Sequence, residues 1–171
     1  MKEFTNEVID LNQIPRYETI SLQSLQPSYW KVMWIKIAFI FLLVGVLLGV
    51  AVVFKEDVQQ VQAAIWSVYL FLLAAILFFS KLSFQKKGFA FREHDVIYRH
   101  GIMATNTMVI PYNRVQHIAL HEGWIERWFG LAAVEIFTAG GSDSDLKIPG
   151  IEKPQAEDIK QLLMGKIQVQ L

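Results

Sequence analysis

Two uncharged apolar runs constrain this chain more than any other feature. Ile37–Phe54 is 18 residues without a charge and Val61–Phe79 is 19 more, separated by Lys55-Glu56-Asp57-Val58-Gln59-Gln60. At about 1.5 Å per residue, each run makes a helix of roughly 27–29 Å, long enough to cross a hydrocarbon core. Open strands would leave unpaired backbone groups in lipid, so the runs are expected to be helices. Ile37–Phe54 holds 14 Leu, Ile, Val or Phe residues, which favour insertion by roughly 4–8 kcal/mol together. Lys36 opposes this, but from the end of the run it can snorkel to the headgroups. Burying both helices inside a soluble protein of 171 residues would leave little chain to cover them.

The break is too short for a domain, which makes the pair an antiparallel hairpin, about 32–54 and 61–80. Its loop carries one cation, Lys55, beside Glu56 and Asp57. The outer flanks carry Lys31 and Lys36 on one side and Lys81, Lys86, Lys87 and Arg92 on the other. Positive charge marks the cytoplasmic side. The expected localisation is therefore a bacterial inner membrane, multi-pass, with both termini cytoplasmic. Tyr29, Trp30 and Trp34 suit an interfacial aromatic belt. The three segments are then a tail over 1–31, the hairpin over 32–80 and a cytoplasmic domain over 81–171.

Composition narrows the chemistry. Net charge is zero, so nothing global points to nucleic acid. There are no cysteines, which rules out disulfides, thiolate metal sites and cysteine nucleophiles. No secretory signal is expected, because the first apolar run begins beyond residue 30. Neither run has a charge at mid-membrane depth, as ion or proton transport normally requires. Within the first run, Gly45 and Gly49 form a G-x-x-x-G pair, a flat patch for close helix approach. It serves either a homo-oligomer or packing within the hairpin, where Ala63, Ser67, Ala74 and Ala75 are small enough to receive it.

From Ser83 the pattern changes to short β-like runs: 83–92, 95–99, 102–111, 115–120 and 131–138. Gly140-Gly141-Ser142-Asp143 signals a hairpin, with 145–148 returning. Antiparallel strands at this spacing suggest a barrel or sandwich. Pro154, the acidic Glu157 and Asp158, the basic Lys166, and apolar Ala156, Ile159, Leu162 and Leu163 predict a last helix plugging one end of it. In 1–31, Ile14, Tyr17, Ile20, Leu22 and Leu25 predict a short helix or extended segment lying against the membrane or the domain.

Catalytic and metal patterns are weak. His117 and His121 sit four apart on an expected strand, about 13 Å, too far to share an ion. Ser142 lacks the G-x-S-x-G elbow, and Gly140-Gly141 lacks a phosphate-loop continuation. Asp143 and Asp145 suit a turn. No catalytic residue, cofactor or metal is assigned. Basic residues carry more. Lys81, Lys86, Lys87, Arg92 and Arg99 against Glu93 and Asp95 give residues 81–99 a net +3, whereas 81–171 is only +1. This is either the topology signal alone or a candidate contact for anionic lipid or a headgroup, at about 1 kcal/mol per residue. Gly123-Trp-Ile-Glu-Arg-Trp-Phe-Gly130 predicts a helical turn covering the core or an aromatic wedge in the membrane interface, through Trp124, Trp128 and Phe129. Arg114, Gln116 and His117 are a polar centre with a structural or a partner-facing role.

Five stretches then read in order: Asp95-Val-Ile-Tyr-Arg-His-Gly-Ile102, Val109-Ile-Pro-Tyr-Asn-Arg-Val-Gln-His-Ile118, Glu126-Arg-Trp-Phe-Gly-Leu-Ala132, Thr138-Ala-Gly-Gly-Ser142 and Ile148-Pro-Gly-Ile151. Together they resemble the second class of bacterial PH (pleckstrin-homology-like) domains. With two membrane helices just before one such domain, the chain resembles the YdbS-like membrane proteins over roughly residues 14–165. The resemblance implies a membrane α-helical hairpin plus an α+β PH-like domain, a bent seven-stranded antiparallel barrel capped by a C-terminal helix. It also implies a partner, a larger membrane protein with several such domains. The PH fold carries no chemistry by itself. The expected function is therefore a non-enzymatic assembly or scaffold module at the cytoplasmic face, bound to the lipid bilayer. The alternative is a module for anionic lipid headgroups, with a membrane-bound enzyme less favoured.

Overall fold

The computed structural model describes residues 20–55, 59–139 and 145–168. Two long helices, α1 (Pro27–Phe54) and α2 (Gln62–Lys86), stand against a β domain. Its strands are β1 (Gln23–Ser24), β2 (Gly88–Phe91), β3 (Asp95–His100), β4 (Asn106–Pro111), β5 (Val115–His121), β6 (Leu131–Thr138) and β7 (Leu146–Glu152). The short helix α3 (Trp124–Trp128) joins β5 to β6, and α4 (Lys153–Gln168) ends the described chain.

Both long helices meet the length and composition needed to cross a membrane. No residue in the most apolar stretch of either is buried, as suits lipid-facing helices. They touch through Tyr69, whose hydroxyl donates to the Phe41 carbonyl at 2.8 Å. In hydrocarbon a phenol without such an acceptor would be costly. Gly45 makes room for this contact, since a Cβ there would lie 2.9 Å from the Tyr69 oxygen. Gly45 thus faces a large tyrosine rather than the small residues of α2, and a Cβ at Gly49 would meet nothing within 4 Å.

The β domain departs from the expected barrel. Seven strands are present among the described residues, but they form a four-stranded sheet, β1-β2-β3-β4, and a three-stranded sheet, β5-β6-β7, both antiparallel. No ladder closes them among the described residues. Pro111 ends β4 without an amide hydrogen to give, and a 3-10 turn at Tyr112–Arg114 redirects the chain before β5. A single bond joins the two sheets at one corner, and another extends the β5–β6 ladder by one residue. The Gln26 amide donates to the Gly150 carbonyl at 3.0 Å, and the Ala139 amide to the Arg114 carbonyl at 3.3 Å.

At the end of the tail, the first strand takes the extended alternative and lies against the domain. Gln23 and Ser24 pair with Phe89 and Gly88, so a segment preceding the hairpin completes a sheet that follows it. Leu25, in this same segment, is buried in the main core with Phe89, Tyr98, Tyr112, Val134, Ile148 and Leu163. A second, smaller cluster joins Val32 of α1 to Ile125 of α3 and Leu131 of β6, with Tyr29 and Phe129 packed against it. Phe84 of α2 completes the joint, its ring 6.5 Å from Tyr29 and 6.1 Å from Trp30. The first two turns of α1 therefore belong to the domain, and only the remainder is available to lipid.

The last helix starts at Lys153 and buries Ala156, Ile159 and Leu163, while Leu162 faces outward. The β6–β7 connection at Gly140–Asp143 and the segment holding Ile14 and Tyr17 lie outside the described residues. Asp145 just after that connection accepts from the Thr138 amide at 2.8 Å and hydroxyl at 2.6 Å, the turn role its position suggests.

Candidate functional site: the membrane-proximal face

The basic residues singled out by sequence fall into three groups. Lys81, Lys86 and Arg99 are exposed around the end of α2 and the facing strand, and Lys31 is exposed on α1. None of these four has an ion-pair partner among the described residues. Lys87 is half-buried, and that burial pushes its ammonium pKa down. Arg92 is committed: its guanidinium forks onto the carboxylate of Asp95 across the β2–β3 turn. The Arg92 carbonyl accepts from the Tyr112 hydroxyl at 2.6 Å. Burial, with Asp95 nearby, pushes that phenol up to about 12, so it stays a donor. Arg92 pins the domain rather than offering a free charge.

Arg114, Gln116 and His117 are all exposed. Gln116 falls at a register shift in β5 between Val115 and His117, as the extra residue of a bulge does. His117 stacks on Phe137 with ring centroids 4.1 Å apart. His121 points elsewhere, into a cavity of about 200 Å³. The two histidines are not brought together.

That cavity lies where α1 leaves the domain. Lys36 and Tyr29 of α1, His121 of β5, Glu126 of α3 and Lys147 of β7 line it. Lys36 pairs with Glu126, and Lys147 with Glu135 at 2.7 Å, so its charges balance. Glu126 is the third residue of a five-residue helix whose N-cap is Gly123. A Cβ at position 123 would collide with the Glu126 carboxylate, so the glycine makes room for it. Burial alone would raise the Glu126 pKa, but the Lys36 hydrogen bond, its own amide and the Lys36 charge outweigh this and hold it below 4.5. One carboxylate oxygen, Oε2, is buried without a hydrogen-bond partner among the described residues. Sequence reasoning missed Lys36–Glu126 as a pair because 90 residues separate them.

This pair is testable. Lys36→Met strips the partner from a largely buried carboxylate and should cost about 1–2 kcal/mol, held down by the half-exposed lysine. Adding Glu126→Gln should recover much of it. Because Glu126 is depressed in the folded state, its contribution is present above pH 4.5 and fades as pH falls through the lower folded value. Thermal unfolding across acidic pH should show that loss in the parent chain and less of it in the double variant.

Directly beside the pair, α3 turns Ile125 inward and leaves Trp124 and Trp128 64% and 76% exposed. Their rings meet edge to face at 5.6 Å. Phe129 is instead half-buried against the Val32 cluster. The aromatic pair thus sits at the level of Lys36, one residue before the uncharged run of α1. A groove of about 570 Å³ within the hairpin, by contrast, is lined by aliphatic and aromatic side chains such as Ile40, Val44, Tyr69 and Leu72 and offers no reactive group.

The comparison that decides the family spans both parts of this architecture. The family model described as Bacterial PH domain matches residues 31–167. The chain belongs to that family. The bacterial PH match begins before the first apolar run and ends in α4, so the hairpin and strands β2 to β7 fall within one pattern. The chain is also similar to the UPF0699 transmembrane protein YdbS of Bacillus subtilis (strain 168). The two are 23% identical over 132 residues, which cover 77% of this chain and 81% of the relative. No solved structure matches it. The protein is thus a YdbS-like bacterial PH domain protein with two helices long and apolar enough to cross a membrane.

Proposed function

We propose that this protein is a non-enzymatic assembly module, a PH-like domain held at fixed height and tilt on the cytoplasmic face by a two-pass hairpin with both termini cytoplasmic. One observation carries the proposal: β4 is an unguarded sheet edge. It lies last in its sheet, and no strand pairs with its outer side among the described residues. Natural edges are normally blunted with charge or proline, yet Asn106–Ile110 carries neither, Pro111 stands only at the strand's end, and Val109 is 43% exposed. Such an edge accepts an added strand through main-chain hydrogen bonds. The rigid joint through Val32 and β1 adds to this, because fixing the domain's orientation raises its effective concentration toward membrane neighbours. The proposed partner is another membrane protein carrying PH-like domains.

The test is to extract the full-length protein from its own membrane in mild detergent and weigh the intact complexes. A stoichiometric second protein, lost when Val109→Lys charges the edge while the fold persists, is the expected result. A second reading rests on the exposed Lys31, Lys81, Lys86 and Arg99. It predicts a lone chain carrying anionic lipid that Lys81→Glu with Lys86→Glu releases. That outcome would replace assembly by headgroup binding. A turnover activity abolished by a point change in the domain would sink both.

A further inference from the structure

We infer that the β3–β4 turn is a hydrophobic foot that dips into the cytoplasmic leaflet alongside α2. The turn runs Gly101-Ile102-Met103-Ala104-Thr105 and carries no charge. Turns are ordinarily polar, built from residues that tolerate water and special backbone angles. Here Met103, at its tip, is 98% exposed, and Ile102 is 36% exposed. An unbranched thioether held almost wholly in water is unfavourable, but in the interfacial region of a bilayer the same side chain is buried.

Depth is set by the part of α2 that lies beside Ile102. Ile102 shares a groove of about 320 Å³ with Ala75, Ile76, Phe79, Ser80 and Ser83 of α2. Phe79 is the last residue of the uncharged run, and Lys81 marks its polar end. Ala75 lies six residues before Lys81, about 9 Å deeper along the helix. The groove therefore extends below the level of the lysine, and the turn beside it reaches lipid-facing helix surface. The backbone holds this shape firmly. Gly101 has φ +117, and a Cβ there would collide with the Ala104 carbonyl, so the tip is a tight turn rather than a loose loop. The occupant is the bilayer itself, because the groove is continuous with a surface that already faces it. This rests on α2 being a membrane-crossing helix.

The absence of cysteine from the sequence makes the test clean. Single replacements Met103→Cys, Leu70→Cys and His94→Cys are introduced into the full chain, labelled with a nitroxide and placed in liposomes of neutral and anionic lipid. Leu70 is 60% exposed in the middle of α2, and the His94 side chain is 81% exposed at the other end of β3. Relaxation by oxygen, which concentrates in lipid, is compared with relaxation by a water-soluble nickel chelate. The expected result is that oxygen dominates at 70 and 103 and nickel at 94, with position 70 deepest. Nickel dominating at 103 while oxygen dominates at 70 overturns the foot, leaves the hairpin intact and turns the exposed tip into a protein-facing surface. Nickel dominating at 70 overturns the crossing helix and the foot with it.

Discussion

Replacing Gly150 with alanine is expected to loosen the domain from the first membrane helix. Gly150 has φ +68, and a Cβ there would lie 2.5 Å from Cγ and 2.7 Å from Cβ of Tyr29. The left-handed backbone and the overpacking should together cost roughly 2–5 kcal/mol. The damage should be directional. The Gly150 carbonyl accepts from the Gln26 amide at 3.0 Å, and that bond anchors the segment between β1 and α1. In hydrogen exchange the Gln26 amide should therefore exchange much faster, while amides of β3 and β6 change less. Gly165→Ala is the control. It lies in α4 with nothing within 4 Å of a Cβ, and alanine there should stabilise by about 0.5–1 kcal/mol. Equal stability of the Gly150 variant and the parent would remove the anchoring role.

Ile125→Ala should cost about 2–5 kcal/mol. Ile125 is 3% exposed and packs with Val32 and Leu131. These three residues come from α3, α1 and β6, so the cavity would open where the domain meets the helix. The larger core around Val134, Ile148 and Leu163 would remain filled. The main sheets should persist while α3 undocks, carrying Trp124 and Trp128 with it. Val32→Ala combined with Ile125→Ala should be non-additive by about 0.5–3 kcal/mol, because the side chains share one cluster. Leu163→Ala in α4 belongs to the other core and should add independently. Additive behaviour of Val32 and Ile125 in chemical unfolding would mean that helix and domain are not energetically joined.

What was legible in the sequence follows from local physics. The hairpin helices are written as uninterrupted apolar runs, the strands as short β-branched segments between turns, and α4 as a spaced apolar face behind a proline. Five short stretches in order were enough to point to the PH-like family. Arg92 was legible in principle as an ion-pair residue, since Asp95 lies three positions on in a turn. The short i to i+3 distance separates Arg92 from the free cations. The role of Ile125, beneath two exposed tryptophans, was also half-visible in the i to i+4 spacing of Trp124 and Trp128.

The rest required the folded chain. A two-residue strand has no period to detect, so Gln23 and Ser24 could not be seen as part of a sheet. Val32 is apolar for a core and equally apolar for lipid, and hydropathy cannot separate the two solvents. Whether seven strands close into a barrel or divide four and three depends on hydrogen bonds between strands far apart in sequence. The pairing of Lys36 with Glu126 is likewise decided only when α1 and α3 are brought side by side. By itself, the sequence determined the long helices, the strands from β2 onward and which segments are lipid-compatible, because each is fixed by neighbours within a few residues. The tertiary structure alone decided where membrane helix ends and domain begins, because the same apolar side chains serve both and only packing partners assign them.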